Sequence, residues 1–218
     1  MIVTRIERQK RNPARFNLYL DGEFAFGVHR DTLAAYGIRT GDDLSETTSS
    51  RMKISDELNL AEEAALRLLS RRRRSEHEIL VRLRKKEFPP AAIEQVIGNL
   101  RRRGLLDDLE FAKAYIHDRE LKKPTGERLL ESELRLRGVP GKLIEHALRE
   151  ALPAKGQEAI AKKAAIQALS RHSLKRTPGD PAVQRRKIAQ ALTRRGFPWE
   201  VVSKILKGLF GESPGQEE

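Results

Sequence analysis

The chain of 218 residues contains no cysteine. Disulfide bonds and thiolate metal sites are therefore excluded, and the composition is compatible with an intracellular protein. No apolar run approaches the length of about 18 residues that a membrane span needs, so we expect no membrane partner. The N-terminus also lacks the apolar core of a signal peptide, and we expect a cytoplasmic protein.

Residue patterns typical of catalysis are absent as well. The sequence has no HExxH motif, no GxGxxG motif and no Gly-Lys-Ser/Thr phosphate loop, and its five histidines are scattered. The adjacent acids Asp107 and Asp108 are the one tempting carboxylate pair. Because acids stabilise the first turn of a helix, we interpret Asp107 as an N-cap and not as a catalytic acid. The sequence therefore predicts no catalytic residue, no metal and no cofactor.

Positive charge is what the chain has in excess, with a formal net charge of +12 at pH 7. Residues 155–207 hold 13 Lys and Arg against three acids, whereas residues 208–218 hold three acids and no base. A segment this basic is drawn to polyanions, and nucleic acid is the favoured partner. Aromatic residues make up only 5% of the chain, so no platform for stacking single-stranded bases is predicted.

A pair of apolar-striped helices joined by a short turn occurs three times, each time after a further amphipathic helix. The turns are residues 87–89 (EFP), 138–140 (GVP) and 196–198 (GFP). Counted from the middle of each turn, the same offsets are apolar in every copy: Ile79, Leu130 and Ile188; Leu83, Leu134 and Leu192; Ile93, Ile144 and Val202. This shared register indicates a tandem array of one three-helix unit, which presents an extended surface.

The first 44 residues follow a different pattern. Residues 2–6 alternate as a strand does, and residues 15–20 and 23–28 flank the hairpin signal Asp21-Gly22. A short helix over residues 31–36 should follow. A piece of this size has a marginal core, and we expect it to pack against a neighbour.

Two hairpin registers are open. A two-residue turn sets Tyr19 opposite Phe24. A three-residue loop sets Leu20 opposite Phe24 and Leu18 opposite Phe26. We prefer the second register because it places the apolar residues on one face of a sheet that is covered on one side.

The predicted fold class is mainly α, a tandem array of three three-helix repeats preceded by a small β-rich N-terminal piece. Residues 45–58 are expected to begin as a connector and to become helical from about Arg51.

If each repeat contacts mainly its neighbours, removal of residues 155–218 should leave the first two repeats folded. The predicted division is 1–50 for the N-terminal piece and connector, 51–104, 105–153 and 154–210 for the repeats, and 211–218 for a frayed tail.

Several segments, in the right order and over nearly the whole chain, resemble the RecX family of recombination regulators. Residues 68–78 (LLSRRRRSEHE) are similar to the family's first repeat, and residues 104–112 (GLLDDLEFA) to its most distinctive motif. Residues 194–197 (RRGF) resemble its third-repeat turn, and residues 16–28 the N-terminal hairpin of some members. One departure is Glu87, where the family usually has Gly.

The resemblance implies a three-helix repeat protein that binds the RecA recombinase filament on single-stranded DNA. Such a protein blocks filament extension and lowers ATP hydrolysis and strand exchange, with no catalytic activity of its own. The expected partners are the RecA filament and DNA, single-stranded and also double-stranded, and the chain is expected to act as a monomer. The alternative is a stand-alone, sequence-tolerant DNA-binding module, and a nuclease is the least favoured.

Runs of basic residues supply the candidate contacts. Four successive arginines, residues 71–74, would point around the whole circumference of a helix, so some must lie on the loop before Ser75. Compensation of a helix dipole needs only one or two of them, so the run favours an anion contact. The residues expected to contact nucleic acid or the filament are Arg71, Arg72, Arg73, Arg74, Arg101, Arg102, Arg103, Lys162, Lys163, Arg185, Arg186, Lys187, Arg194 and Arg195.

Overall fold

The computed structural model describes residues 1–152, 154–173 and 180–211, without the side chains of residues 154, 155 and 171–173. The predicted frayed tail beyond residue 211 lies outside the described residues. The chain divides into two compact units, Met1–Leu106 and Asp107–Glu218.

A three-stranded antiparallel sheet opens the first unit. Its strands are β1 (Val3–Arg8), β2 (Arg15–Leu20) and β3 (Glu23–His29), in the order β1-β2-β3. Helix α1 (Arg30–Tyr36) follows and ends at Gly37, as predicted.

The hairpin uses both registers that the sequence left open. Next to the turn, Tyr19 pairs with Phe24, as in a two-residue turn, so the predicted pairing of Leu20 with Phe24 is wrong. A bulge between Leu18 and Tyr19 then shifts the register, and Leu18 pairs with Phe26 as predicted. The extra residue is Ala25 on β3. It accommodates the Asp-Gly turn while the apolar side chains beyond the bulge stay on the covered face.

Ten helices lie within the described residues, nine of them after the sheet and α1, which confirms the mainly helical fold class. These nine are α2 (Glu46–Leu69), α3 (Glu76–Arg84), α4 (Pro90–Arg102), α5 (Asp108–Lys122), α6 (Glu127–Arg135), α7 (Gly141–Ala151), α8 (Ala154–Ser173), α9 (Pro181–Arg194) and α10 (Trp199–Phe210). The residues at the shared offsets are buried in all three repeats.

Helix α2 begins earlier than predicted. The expected connector over residues 45–58 is helical from Glu46, because the Ser45 hydroxyl caps the helix by accepting the N–H of Thr48 at 3.1 Å. Met52 is buried among the sheet residues, and this packing overrides the low helix propensity of a Ser-Thr segment. The predicted boundary at residue 50 therefore falls inside one helix, and the domain division stays a prediction.

The three repeat turns share one backbone conformation. One residue in the turn after each middle helix has positive φ, 63° at Glu87, 74° at Gly138 and 81° at Gly196. In each case the next N–H donates to a carbonyl of the preceding helix, for example Phe88 to Leu83 at 3.4 Å. This is the left-handed helix ending that glycine favours, and Glu87 adopts it at a steric cost.

We therefore expect Glu87→Gly to stabilise the first unit by about 1 kcal/mol, because relief of the left-handed strain exceeds the entropy that glycine adds to the unfolded chain. Amide hydrogen exchange in α3 and α4 measures this change. The matched control is Gly138→Ala, which introduces the same strain into the second repeat and should destabilise it. If amide exchange in Glu87→Gly is not slower than in the parent chain in either α3 or α4, Glu87 is not strained in the first repeat turn.

The second and third repeats share one hydrophobic core. The buried residues from Phe111 in α5 to Leu206 in α10 form a single cluster. Between the repeats, the Gly126 N–H donates to the carbonyl of Arg195 at 2.7 Å. A Cβ on Gly126 would lie 2.5 Å from backbone atoms of Gly196, and a Cβ on Gly196 would overlap the backbone of Leu129. The two glycines thus allow direct backbone contact between the repeats.

This shared core corrects the expected effect of truncation. Removal of residues 155–218 would take away α8, α9 and α10, whose buried residues complete the cluster around Leu130 and Leu134. Because an exposed core face destabilises the remaining helices, we expect the second repeat to lose stability when the third is removed. A clean test of the third repeat's function must therefore use point substitutions.

Candidate nucleic-acid interface

The four successive arginines lie in the turn and loop between α2 and α3, and they have different roles. Arg74 folds back, and its Nε donates to the carbonyl of Leu68 at 3.1 Å. Partial burial, with the charge of Arg72 next, lowers the pKa of Arg74 from its usual value. Arg72 makes a two-bond ion pair with Glu78, at 2.9 and 3.0 Å. Arg71 and Arg73 are exposed and have no acidic partner within the described part of the chain.

The second arginine run, at the end of α4, is largely engaged in contacts with neighbouring side chains. Arg101 makes two hydrogen bonds to Glu76, at 2.7 and 2.6 Å. Arg103 is ion-paired with Glu62, and Arg102 donates to the side chain of Asn99. Exposed pairs of this kind contribute little stability, but they lower the charge that is available to a partner.

The structure brings the two arginine runs of the first repeat together at the start of α3. Glu76, the first residue of α3, holds Arg101, and Glu78 in the same turn holds Arg72. Arg71 and Arg73 thus remain the most available cations of this group, which consists of residues 71–74 and 101–103. Their contact with nucleic acid stays a prediction.

Helix α9 in the third repeat carries a second, less neutralised group. Ile188 and Leu192 face the core. Arg186, Lys187 and Arg194 are exposed and Arg185 is half-buried, and no side-chain acid within the described residues pairs with any of the four. We call these four residues the α9 basic face. Its cations remain available to a polyanion because no internal carboxylate neutralises them.

Three predicted contact residues of the third repeat lie outside the α9 basic face. Arg195 follows α9, and its guanidinium donates to the carbonyl of Ala164 at 3.3 Å, which ties it to α8. Lys163 on α8 lies 3.5 Å from the carbonyl of Glu120, and Lys162 is exposed. Arg195 therefore has a structural role, because it connects the end of α9 to α8.

The sequence patterns did not predict a role for one exposed residue. Trp199, the first residue of α10, is 62% exposed and lines two surface hollows, one together with Arg194 and the other together with Arg186. The signal was present in the repeat register, because the equivalent position is Pro90 in the first repeat and Gly141 in the second. A large aromatic residue at this position has no counterpart in the other repeats.

Asp107 is an N-cap, as predicted. Its Oδ1 accepts the N–H groups of Leu109 at 2.8 Å and Glu110 at 3.0 Å. Among the described residues, no group of His, Asp and Glu side chains is arranged to hold a metal ion. No helix in the described ranges has the length and apolar character that crossing a membrane requires.

One further cluster of charged groups has a structural role. In the second repeat, the Tyr115 hydroxyl donates to Glu133 at 2.7 Å and accepts from Arg119 at 2.9 Å. Burial, followed by the hydrogen bond to Glu133, raises the pKa of Tyr115. Arg119 also pairs with Glu133 at 2.6 Å, so the cluster ties α5 to α6.

Comparison with family models gives four consecutive matches along the chain. The RecX N-terminal domain matches residues 1–45, and the first, second and third RecX three-helix domains match residues 61–100, 107–148 and 161–206. The matches follow the order of sheet and repeats in the structure.

Relatives of known sequence give the same result. The chain is 32% identical over 216 residues to "Regulatory protein RecX" of Bacillus pumilus (strain SAFR-032), which covers 99% of this chain and 79% of the relative. It is 31% identical over 221 residues to the protein of that name from Bacillus subtilis (strain 168), with coverage of 99% and 80%. These relatives are named as regulatory proteins and not as enzymes, in agreement with the expectation from the sequence.

Solved structures share the fold. A crystal structure of regulatory protein RecX, 28% identical, covers 94% of this chain and 98% of that chain with a TM-score of 0.70. A second, from Lactobacillus salivarius, covers 71% and 97% with a TM-score of 0.62 at 23% identity. From the consecutive domain matches and the 32% identity to a relative over 99% of the chain, we conclude that the chain belongs to the RecX family of regulatory proteins.

Proposed function

We propose that this chain binds the RecA recombinase filament on single-stranded DNA and inhibits its ATP hydrolysis, extension and strand exchange. Family membership and the regulatory name of the relatives support the proposal. The observation that carries it is the α9 basic face, a set of cations on the third repeat that have no side-chain acid as a partner among the described residues. We further propose that the chain acts in the cytoplasm as a monomer.

The proposed partner suits the repetition and the charge of the three-helix units. A nucleoprotein filament is long and repetitive and exposes phosphates, and an array of similar units makes several modest contacts with such a partner at high effective concentration. The described residues supply cations in both units, Arg71 and Arg73 in the first and the α9 basic face in the second. Contacts to phosphate give affinity without sequence readout, which suits a filament formed on any DNA.

Co-sedimentation with purified recombinase tests the proposal. The chain should pellet with recombinase when single-stranded DNA and a non-hydrolysable ATP analogue are present, and it should remain in the supernatant when the analogue is omitted. If the chain binds DNA equally well with and without recombinase and never prefers the filament, the stand-alone DNA-binding function is correct instead.

The α9 basic face also predicts the salt dependence of DNA binding. Replacement of Arg185, Arg186 and Arg194 by Gln should reduce the slope of log affinity against log salt by about 2, since each phosphate contact on a single strand contributes about 0.7. Fluorescence anisotropy with labelled oligothymidylate at several salt concentrations measures the slope.

The matched control for this slope replaces three exposed cations of the N-terminal piece, Lys10, Arg11 and Arg39, by Gln. This control makes the same change in net charge at a surface that the proposal does not assign to DNA. If the control lowers the slope as much as the substitutions on α9 do, net charge alone determines binding and the α9 basic face has no special role.

A further inference from the structure

Trp199 is the only tryptophan of the chain, and its indole is 62% exposed. Tryptophan has the largest side chain and is mostly buried in soluble proteins, so exposure of this extent is informative. Tryptophan combines a flat apolar face with an N–H donor, and for this reason it is enriched at binding surfaces.

The backbone that carries Trp199 is fixed by its neighbours. Gly196 packs directly on the backbone of Leu129, and Phe197 is only 3% exposed within the shared core. Pro198 then restricts the backbone before α10 begins. A binding group on such a base loses little conformational entropy when a ligand arrives.

Two open hollows meet at the indole. The first has a volume of about 370 Å³ and is lined by Ala189, Gln190, Thr193, Arg194 and Trp199. The second, of about 650 Å³, shares Ala189 and Trp199, and apolar groups such as Leu206 and Phe210 form part of it. Both volumes fall within the range of about 300–1,000 Å³ that small-ligand sites occupy.

The charge around these hollows is mainly positive. Arg185 and Arg186 line the larger hollow and Arg194 lines the smaller. Asp180 is the one carboxylate that lines either hollow within the described residues, and its Oδ1 accepts the N–H of Ala182 at 2.9 Å as the cap of α9. Three arginines and the exposed tryptophan are therefore among the residues that line the hollows.

We propose that Trp199 stacks on an unpaired base of single-stranded nucleic acid while Arg185, Arg186 and Arg194 contact the adjacent phosphates. An exposed aromatic face beside a basic groove is the combination that single-strand binders use, since every base has a face that can stack. In a duplex the base faces are covered by their neighbours, so this site prefers unpaired strands. The inference rests on the proposed function, in which the chain meets single-stranded DNA, and it adds the residue that senses an unpaired base.

Intrinsic fluorescence tests the proposal with the full chain and no recombinase. Because Trp199 is the only tryptophan, its emission reports on this site alone. Titration with oligothymidylate of about 20 nucleotides should quench the emission with a saturation curve that matches binding. Inorganic polyphosphate, which has charge but no bases, should bind without comparable quenching.

Three variants separate stacking from charge. Trp199→Ala should weaken binding of oligothymidylate about tenfold or more, within the range expected for one stacked base, and should leave polyphosphate affinity unchanged. Trp199→Phe should retain most of the affinity. Leu136→Ala removes an apolar side chain that is 80% exposed beside Arg128 and Arg135, and this control should change neither affinity.

The possible results of these experiments distinguish failure of the stacking site from failure of the proposed function. Unchanged oligothymidylate binding by Trp199→Ala, saturation without quenching, or equal quenching by duplex and single strand would each overturn the stacking site. If Trp199→Ala weakens filament binding but not binding of free DNA, the indole contacts the recombinase protein and the proposal is wrong. Stacking without any effect of the chain on recombinase would leave the site intact and reject the proposed function.

Discussion

Replacement of Gly196 by Ala should destabilise the second unit by about 3 kcal/mol. Two effects add. The residue has a φ of 81°, a conformation that costs a side-chain-bearing residue about 1–2 kcal/mol. The new Cβ would also overlap the backbone of Leu129 in α6, and relief of such overpacking costs about 1–3 kcal/mol because the two repeats must move apart. Amide hydrogen exchange in α6 and α9 measures the change within this unit.

A second variant and a control isolate the repeat contact. Gly126→Ala should destabilise the same unit, because its Cβ would lie 2.5 Å from Gly196. Gly208→Ala is the matched control in α10, where nothing lies within 4 Å of the added Cβ. Helix propensity predicts that this control stabilises the unit by up to about 1 kcal/mol. Equal effects of all three substitutions would show that the glycine contact does not join the repeats.

The second large effect is expected at Asp56, where replacement by Ala should cost the first unit about 3–5 kcal/mol. Asp56 on α2 is 5% exposed, and its carboxylate binds the guanidinium of Arg15 at 2.8 Å and the N–H of His29 at 2.5 Å. These contacts join α2 to β2 and β3. Removal of one partner leaves a largely buried guanidinium without compensation, which costs more than the pair contributes.

Amide hydrogen exchange of β2 and β3 reports the Asp56 effect, because these strands lose their tie to α2. Asp31→Asn is the matched control: Asp31 lies nearby, also has a basic neighbour, and is exposed. Its replacement should change stability by less than about 0.5 kcal/mol. Protection of the sheet that is equal in Asp56→Ala and the parent chain would contradict the structural role of Asp56.

The repeat architecture was predictable because it depends on periodic burial. The offsets around the three turns are apolar in the sequence and buried in the structure, as Leu83, Leu134 and Leu192 illustrate. The start of α2 was missed because tertiary packing of Met52 against the sheet, and not local propensity, makes residues 46–50 helical. The hairpin bulge was missed because both simple registers satisfy parts of the pattern.

The site was predictable only in part. The distribution of charge along the sequence predicted that the third repeat is the most basic part of the chain, and the α9 basic face lies in this repeat. The partners of Arg101 and Arg103 are Glu76 and Glu62, which lie far away in sequence, so no local pattern could reveal that these arginines are engaged. The backbone contact of Gly126 with Gly196 could not be predicted either, because it depends on how the second and third repeats pack against each other.

The most direct test of the central claim is the rate of ATP hydrolysis by recombinase on single-stranded DNA, titrated with this chain. The chain should inhibit hydrolysis, and the variant Arg185→Glu, Arg186→Glu, Arg194→Glu should need at least about tenfold more protein for the same inhibition, because three favourable phosphate contacts become repulsive. The control with Lys10, Arg11 and Arg39 reversed should inhibit as the parent does. If the α9 variant inhibits as well as the parent, or if the parent does not inhibit, the account is wrong.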